Sequence, residues 1–209
     1  MKKKIEIPMI IFVVVLIIFI ILILNVDSLN KFLSESFSTV PEQKEIICYG
    51  DDKPCQVQKE LNELVNEVRI QKNISSIIYD QKLSNIAYNH SKDMEQRNFI
   101  GHVNPGGLGV SDRGKEAGYE CMKFHGASLE QGLAENIYQT SLYKKGIVLG
   151  GDKPFYTWFS VEELANNTIN AWLSSEGHRK NLLSENYTKQ GLGVVITNNN
   201  SVLITQVFC

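Results

Sequence analysis

A chain of 209 residues with 21 Lys and Arg against 23 Asp and Glu carries a formal charge of −2, too balanced to favour a polyanion. No basic cluster interleaves with aromatics, which excludes nucleic acid as a partner. Residues 55–209 have the length of one domain with a single core, and they contain no internal repeat.

In chain order, Met9 to Leu24 is an unbroken run of sixteen apolar residues preceded by Lys2, Lys3 and Lys4. At ~1.5 Å per residue it covers most of a hydrocarbon core of roughly 30 Å, and Ile7, Val26 and Leu29 lengthen it. A cleaved signal peptide needs small residues at its cleavage site, yet no Ala precedes Ala87. The run therefore predicts a retained single-pass anchor over residues 8–26. Residues 1–7 form a short cytoplasmic N-terminus by the positive-inside rule, residues 27–54 a stalk, and residues 55–209 a domain facing outside.

The cysteines agree with an oxidising compartment. Cys48, Cys55, Cys121 and Cys209 all lie beyond the anchor, are even in number and form no Cys-x-x-Cys pair. Four cysteines permit three connectivities. The favoured one joins Cys48–Cys55 around a short loop and Cys121–Cys209 from the chain end to the middle of the domain.

Leu61, Leu64, Val65 and Val68 repeat at helical spacing after Pro54. Asp80 is placed to cap a second helix with Leu83, Ile86, Ala87, His90 and Met94 on one face. The spacing predicts a loop from Gly101 to Gly109, then one or two helical turns over 111–117. Residues 141–158 read as an excursion outside the core. Ser160 and Glu163 have capping-box spacing before a helix lined by Leu164, Thr168, Ala171 and Trp172. The end is a hairpin: Leu192, Val194 and Ile196 alternate, Asn198 to Ser201 turns, and Val202, Ile204 and Val207 return. Helices followed by strands indicate an α+β domain on a small antiparallel sheet.

Three strings carry the chemistry: Gly101-His102-Val103-Asn104-Pro105, Ala134-Glu135-Asn136-Ile137, and Ser175-Glu176-Gly177-His178-Arg179-Lys180-Asn181. Each sets a proton carrier or metal ligand beside residues that make unusual turns. Each string alone is a weak signal, and their order is specific. The segment Ala87-x-x-His90-Ser91-x-Asp93-Met94 through His102-x-Asn104-Pro105-x-Gly107 and Asp112-Arg113 resembles the first motif region of the prokaryotic branch of the CAP superfamily. That superfamily is also called SCP, or the cysteine-rich secretory, antigen 5 and pathogenesis-related-1 family. Ala134-Glu135-Asn136 is similar to its Gly-Glu-Asn motif, with Ala for the usual Gly. Trp172-Leu173-x-Ser175-x-Gly177-His178-Arg179-x-Asn181 resembles its Trp-x-x-Ser-x-Gly-His-Arg-x-Asn segment. Gly191-x-Gly193-Val194 and Thr205-Gln206-x-Phe208 resemble its closing strands.

The resemblance implies a three-layer α-β-α sandwich, here preceded by one transmembrane helix, with a cleft where the motifs meet. It implies that His102 and His178 are imidazole ligands of a divalent metal, zinc foremost, and that Glu135 orients or ligates. Glu176 is a second acidic candidate, at a position where many prokaryotic relatives carry a residue such as Pro. Two imidazoles and a carboxylate with open positions suit zinc. His90, on the apolar helix face, reads as a satisfied core histidine, and His125 as a surface residue. Asp112-Arg113 reads as a structural salt bridge or cap, and Asn136 and Asn181 as amides holding loop backbone.

Two functions follow from different classes. The first is a membrane-anchored module binding a lipid, a peptide or a cell-envelope component. The alternative is a metal-dependent hydrolase or peptidase with Glu135 or Glu176 as base, although the chain has no His-Glu-x-x-His element. A structural surface protein is the bland third reading.

Overall fold

The computed structural model describes residue 31 and residues 52–125, 128–145 and 156–209; the side chains of residues 123–131 and 145 are not described. The chain divides into two compact units, residues 1–42 and 43–209, and the elements below belong to the second. The expected anchor over residues 8–26 lies outside the described residues, as does the stalk except for residue 31 and its last residues, 52–54. Among the described residues no helix is long and apolar enough to cross a membrane.

Helix α1 spans Lys53–Gln71. Asp52 caps it by accepting from the Cys55 N–H at 3.1 Å, and Pro54 occupies the first turn, where its missing N–H has no helical partner to lose. The two-residue strand β1, Ile78–Tyr79, leads to α2, Gln81–Arg97. The Asp80 carboxylate caps α2 through the Lys82 and Leu83 N–H groups, and Asn98 ends it in the left-handed conformation at φ 50°. Helix α3 is Val110–Glu116. A small ribbon of β2, Met122–His125, and β3, Ser128–Gln131, precedes β4, Ala134–Ser141. A second ribbon pairs β5, Tyr143–Lys145, with β6, Tyr156–Trp158; Tyr156 and Trp158 are exposed on it, as expected of an excursion from the core. Helix α4, Val161–Ser174, opens with the Ser160–Glu163 capping box, and α5, Glu176–Leu182, follows directly.

Strands β7, Lys189–Ile196, and β8, Ser201–Phe208, form the expected hairpin, with Asn200 at positive φ in its turn. The main sheet has the order β1-β7-β8-β4. It is mixed rather than wholly antiparallel, because β1 enters beside β7 in parallel. Two residues of β1 give no periodic signal, so the sequence could not announce that pairing.

Alternation along β7 and β8 builds a layer on each face. Leu192, Val194, Val202, Ile204 and Phe208 pack with Val57, Leu61, Val65, Leu164 and Trp172 beneath α1 and α4. On the opposite face Val207 meets Leu83, Ile86 and Ala87 of α2, while Val195 and Leu203 meet Met94. The result is an α-β-α sandwich. Gly191 and Gly193 let α2 lie directly on β7: a Cβ at Gly193 falls 2.1 Å from the Tyr88 nitrogen.

Cys121 and Cys209 are joined across 88 positions with a Cα–Cα distance of 5.6 Å. Cys55 is also disulfide-bonded; its expected partner, Cys48, lies outside the described residues. Buried Arg69 of α1 donates to the carbonyl oxygens of Leu182, Ser184 and Tyr187, which pins the chain as it leaves α5. That anchor matters because α5 carries His178.

Candidate functional site

Glu135 stands on β4 with its side chain 2% exposed. Its neighbour Asn136 points to the other face of the sheet, as alternation requires. His102 comes from the loop after α2. Asn104 shapes that loop: its side-chain oxygen accepts from the Gly106 and Leu108 N–H groups, and Gly107 takes φ 85°. Arg113 of α3 then locks the loop to the sheet, donating through Nη1 to the carbonyls of His102 and Leu108 and through Nη2 to Glu135 Oε2 at 2.5 Å. The other oxygen, Oε1, lies 2.9 Å from His102 Nδ1.

A carboxylate can only accept there, so His102 carries a hydrogen on Nδ1, and in the neutral ring Nε2 is the nitrogen left with a lone pair. The carboxylate orients the imidazole from behind, which is the usual second partner of a metal-binding histidine. His102 is half exposed, and its ring centroid is 6.1 Å from that of His178. Burial lowers the pKa of His178, and the nearby His102 lowers it further.

His178 is held from the backbone. Asn136 Nδ2 donates to the His178 carbonyl, while Asn181 Nδ2 donates to the Glu135 carbonyl and to Asn136 Oδ1. The amide chain continues inward: Asn136 reaches Gln206, Gln206 reaches Gln190, and Gln190 reaches Asn62 on α1. Both asparagines therefore hold backbone, as their place in the motifs suggested. A buried chain of this kind costs free energy unless every member is paired, and it specifies one arrangement when they are.

The structure brings His102, Glu135 and His178 together and adds two residues that the sequence did not assign to the site. Arg113, expected as a structural salt bridge, is the partner of Glu135. Asp112 closes the cap of α3 by accepting from the Gly109 N–H. His90 is fully buried, as expected on its helix face, but it lies 3.8 Å from Glu135 Oε1 and is not fully satisfied. Its Nε2 donates to the Gly101 carbonyl at 2.9 Å, and its Nδ1 has no partner among the described residues. Glu176 is exposed at the start of α5 and forms no ion pair among the described residues. Two positions from His178, it leaves the helix on another face. The side chain of His125 lies outside the description.

Burial of His90 should make the domain acid-sensitive. Burial lowers its pKa, outweighing the opposing pull of Glu135 and Asp93 and reinforced by Arg113. Unfolded His90 binds a proton near pH 6.5, whereas the folded residue resists it. Stability is then full above about pH 6.5 and falls as pH drops from there toward the folded pKa. His90→Gln should flatten that slope in urea midpoints measured from pH 7.5 to 5. An equal slope in the variant would assign the acid sensitivity elsewhere.

The donor set fits a metal only as a two-imidazole site. The His102 and His178 rings lie near each other at a tilt of 56°, whereas both Glu135 oxygens serve His102 and Arg113. Among the described residues, no group of three His, Cys, Asp or Glu side chains converges to hold a metal ion.

Comparison with known proteins matches residues 63–208 to the family model described as CAP, the cysteine-rich secretory protein family. Two Bacillus subtilis proteins are each 28% identical: an uncharacterized membrane protein, YlbC, over 137 residues, and the uncharacterized protein YkwD, over 138. Each match covers 66% of this chain but only 31% and 42% of the relatives, so the chain spans under half the length of the curated proteins it matches. Among solved structures, an extracellular SCP-domain protein from Bacillus anthracis is similar with TM-score 0.51 and 26% identity, covering 78% of this chain and 44% of that one. An outer surface protein from Borrelia burgdorferi shares the fold with TM-score 0.54 and 18% identity, covering 78% and 97%. With residues 63–208 matched to its model, the chain belongs to the CAP, or cysteine-rich secretory protein, family.

Proposed function

We propose that this CAP protein is a membrane-anchored binding module facing the outside of the cell, in which His102 and His178 bind a divalent cation, zinc foremost. The cleft they line engages a lipid, a peptide or a cell-envelope component. One observation carries the reading: Glu135 is almost fully buried, with both oxygens committed to His102 and Arg113. Such a carboxylate orients a ligand and is poorly free to take a proton from water. In the hydrolase alternative the base must be Glu135 or Glu176, and Glu176 leaves α5 on a different face from His178. The anchor reading draws support from the apolar run over residues 8–26 and from the membrane-protein name of the YlbC relative.

Zinc analysis and isothermal titration on the detergent-solubilised full chain test the site. His102→Ala and His178→Ala should each abolish zinc binding while the far-UV spectrum stays native. Glu135→Gln should weaken binding by ~10-fold, because a carboxamide still offers one oxygen to His102. Affinity should fall at acid pH, since only neutral imidazoles ligate, with burial holding His178 neutral below the ordinary imidazole value. Zinc binding unchanged in both His variants would remove the site. Zinc-dependent peptide cleavage lost in both would favour the hydrolase. An intact mass lacking residues 1–26 in the mature protein would remove the anchor.

A further inference from the structure

We propose that the aromatic face of the β5–β6 ribbon, built from Tyr143, Tyr156 and Trp158, docks on a lipid bilayer with the Tyr156 and Trp158 rings at headgroup depth. The inference rests on the anchor reading above, which keeps this domain beside a membrane, and it uses neither histidine of the cleft.

A two-stranded ribbon has no core of its own, so what covers its faces decides its role. Tyr143 pairs across the ribbon with Trp158, and the alternation of β6 returns Tyr156 to the same face. The Tyr143 ring meets both edge-on, its centroid 4.7 Å from that of Tyr156 and 5.8 Å from that of Trp158. Lys144 is on the opposite face, where it pairs with Glu163 of α4 and lies over the Phe159 ring. The Phe159 N–H donates to the Leu142 carbonyl, and the Leu142 N–H to the Asn200 carbonyl in the β7–β8 turn. The ribbon is thus braced from behind, while Tyr156 and Trp158 stay more than half exposed.

Residue chemistry and chain entry together select a bilayer over other occupants. Tyr and Trp join an apolar ring to one polar tip, a combination favoured where hydrocarbon meets headgroups. Lys53, at the start of α1, donates through Nζ to the Phe159 carbonyl at 2.7 Å, so residues 27–52 join the domain beside the base of the ribbon. Those residues span at most about 90 Å when fully extended. An anchor at residues 8–26 therefore keeps the ribbon in reach of the bilayer without dictating which face meets it. Tethering raises the effective concentration, so a contact too weak to capture a free protein suffices. Docking then gives the tethered domain one preferred orientation on the membrane.

Trp158 is also the reporter. The chain has two tryptophans, and Trp172 is fully buried in the main core. The full chain is reconstituted into phosphatidylcholine vesicles, plain or with acyl chains brominated near the headgroup, and Trp158→Phe supplies the Trp172 background. Brominated lipid should cut Trp158 emission about 2-fold or more relative to plain lipid, as expected of a ring at headgroup depth. Tyr156→Glu, or Tyr156→Gln if the charged variant does not fold, should remove most of that quenching. Thr157→Glu puts the same charge on the opposite, exposed face of β6 and should leave it unchanged. No quenching in a parent chain that floats with the vesicles overturns the proposal and spares the anchor. Quenching that persists in the Tyr156 variant, or is lost equally in Thr157→Glu, also overturns it. Unquenched emission that shifts to the blue with rising protein concentration assigns the face to a second copy and overturns it too. A parent chain that does not float with the vesicles overturns both readings.

Discussion

Gly193→Ala should cost ~4 kcal/mol or more and leave little folded protein, because the added methyl has no space that side chains can yield. Its Cβ would lie 2.1 Å from the Tyr88 nitrogen and 2.4 Å from the Ala87 carbonyl carbon, both backbone atoms of α2. Rotamer changes cannot relieve a clash with backbone, so α2 must lift from β7 as a unit. Lifting it separates Leu83, Ile86 and Ala87 from Val207, and Met94 from Val195 and Leu203. It also breaks the bond from the Ser91 hydroxyl to the Gly193 carbonyl. With total stabilities of ~5–15 kcal/mol, such a loss is a large share. The comparison is Gly177→Ala, where nothing lies within 4 Å of the added Cβ; it should be neutral or stabilise α5 by up to ~1 kcal/mol. Urea midpoints of the two variants decide the matter. A Gly193→Ala protein within about 1 kcal/mol of the parent would show that α2 does not need this close approach.

The second large effect is at Glu135. Glu135→Ala leaves the Arg113 guanidinium nine-tenths buried and without its carboxylate, which should cost ~3–5 kcal/mol. The zinc affinity proposed above should vanish with it, because His102 loses the acceptor that sets its tautomer and ring angle. An apolar double variant, Glu135→Leu with Arg113→Met, should recover much of the stability without recovering zinc binding, since neither charge is then stranded. The interaction energy from that cycle separates the ion pair from simple packing. If Glu135→Ala costs under about 1 kcal/mol, water reaches Arg113 and the pair is not buried in solution.

Much of the domain was legible because its signals are local. Asp80 and Ser160 are caps within three residues of the N–H groups they serve, and Leu192, Val194 and Ile196 announce a strand by alternation alone. Strand β4 was harder. Its buried residues include Glu135 and Asn136, whose polarity hides the period-two pattern. Helix α5 has seven residues, too few for a hydrophobic stripe to show.

The residues that can do chemistry here are legible along the chain: two histidines and a glutamate in a family-specific order, with asparagines and glycines to bend the chain around them. How they are used follows from packing between elements distant in the chain. Glu135 is 33 positions from His102 and 22 from Arg113, and nothing local says which of its oxygens meets which partner. That choice follows from the pleat of β4, which turns Glu135 toward α2 and Asn136 toward α5, and from α3 delivering Arg113 to the same point. The same placement sets His90 beneath the carboxylate with a nitrogen unpaired among the described residues. Helical spacing can assign a histidine to a buried face, but the carboxylate it meets there is supplied by a strand 45 residues away, through packing that no short window contains.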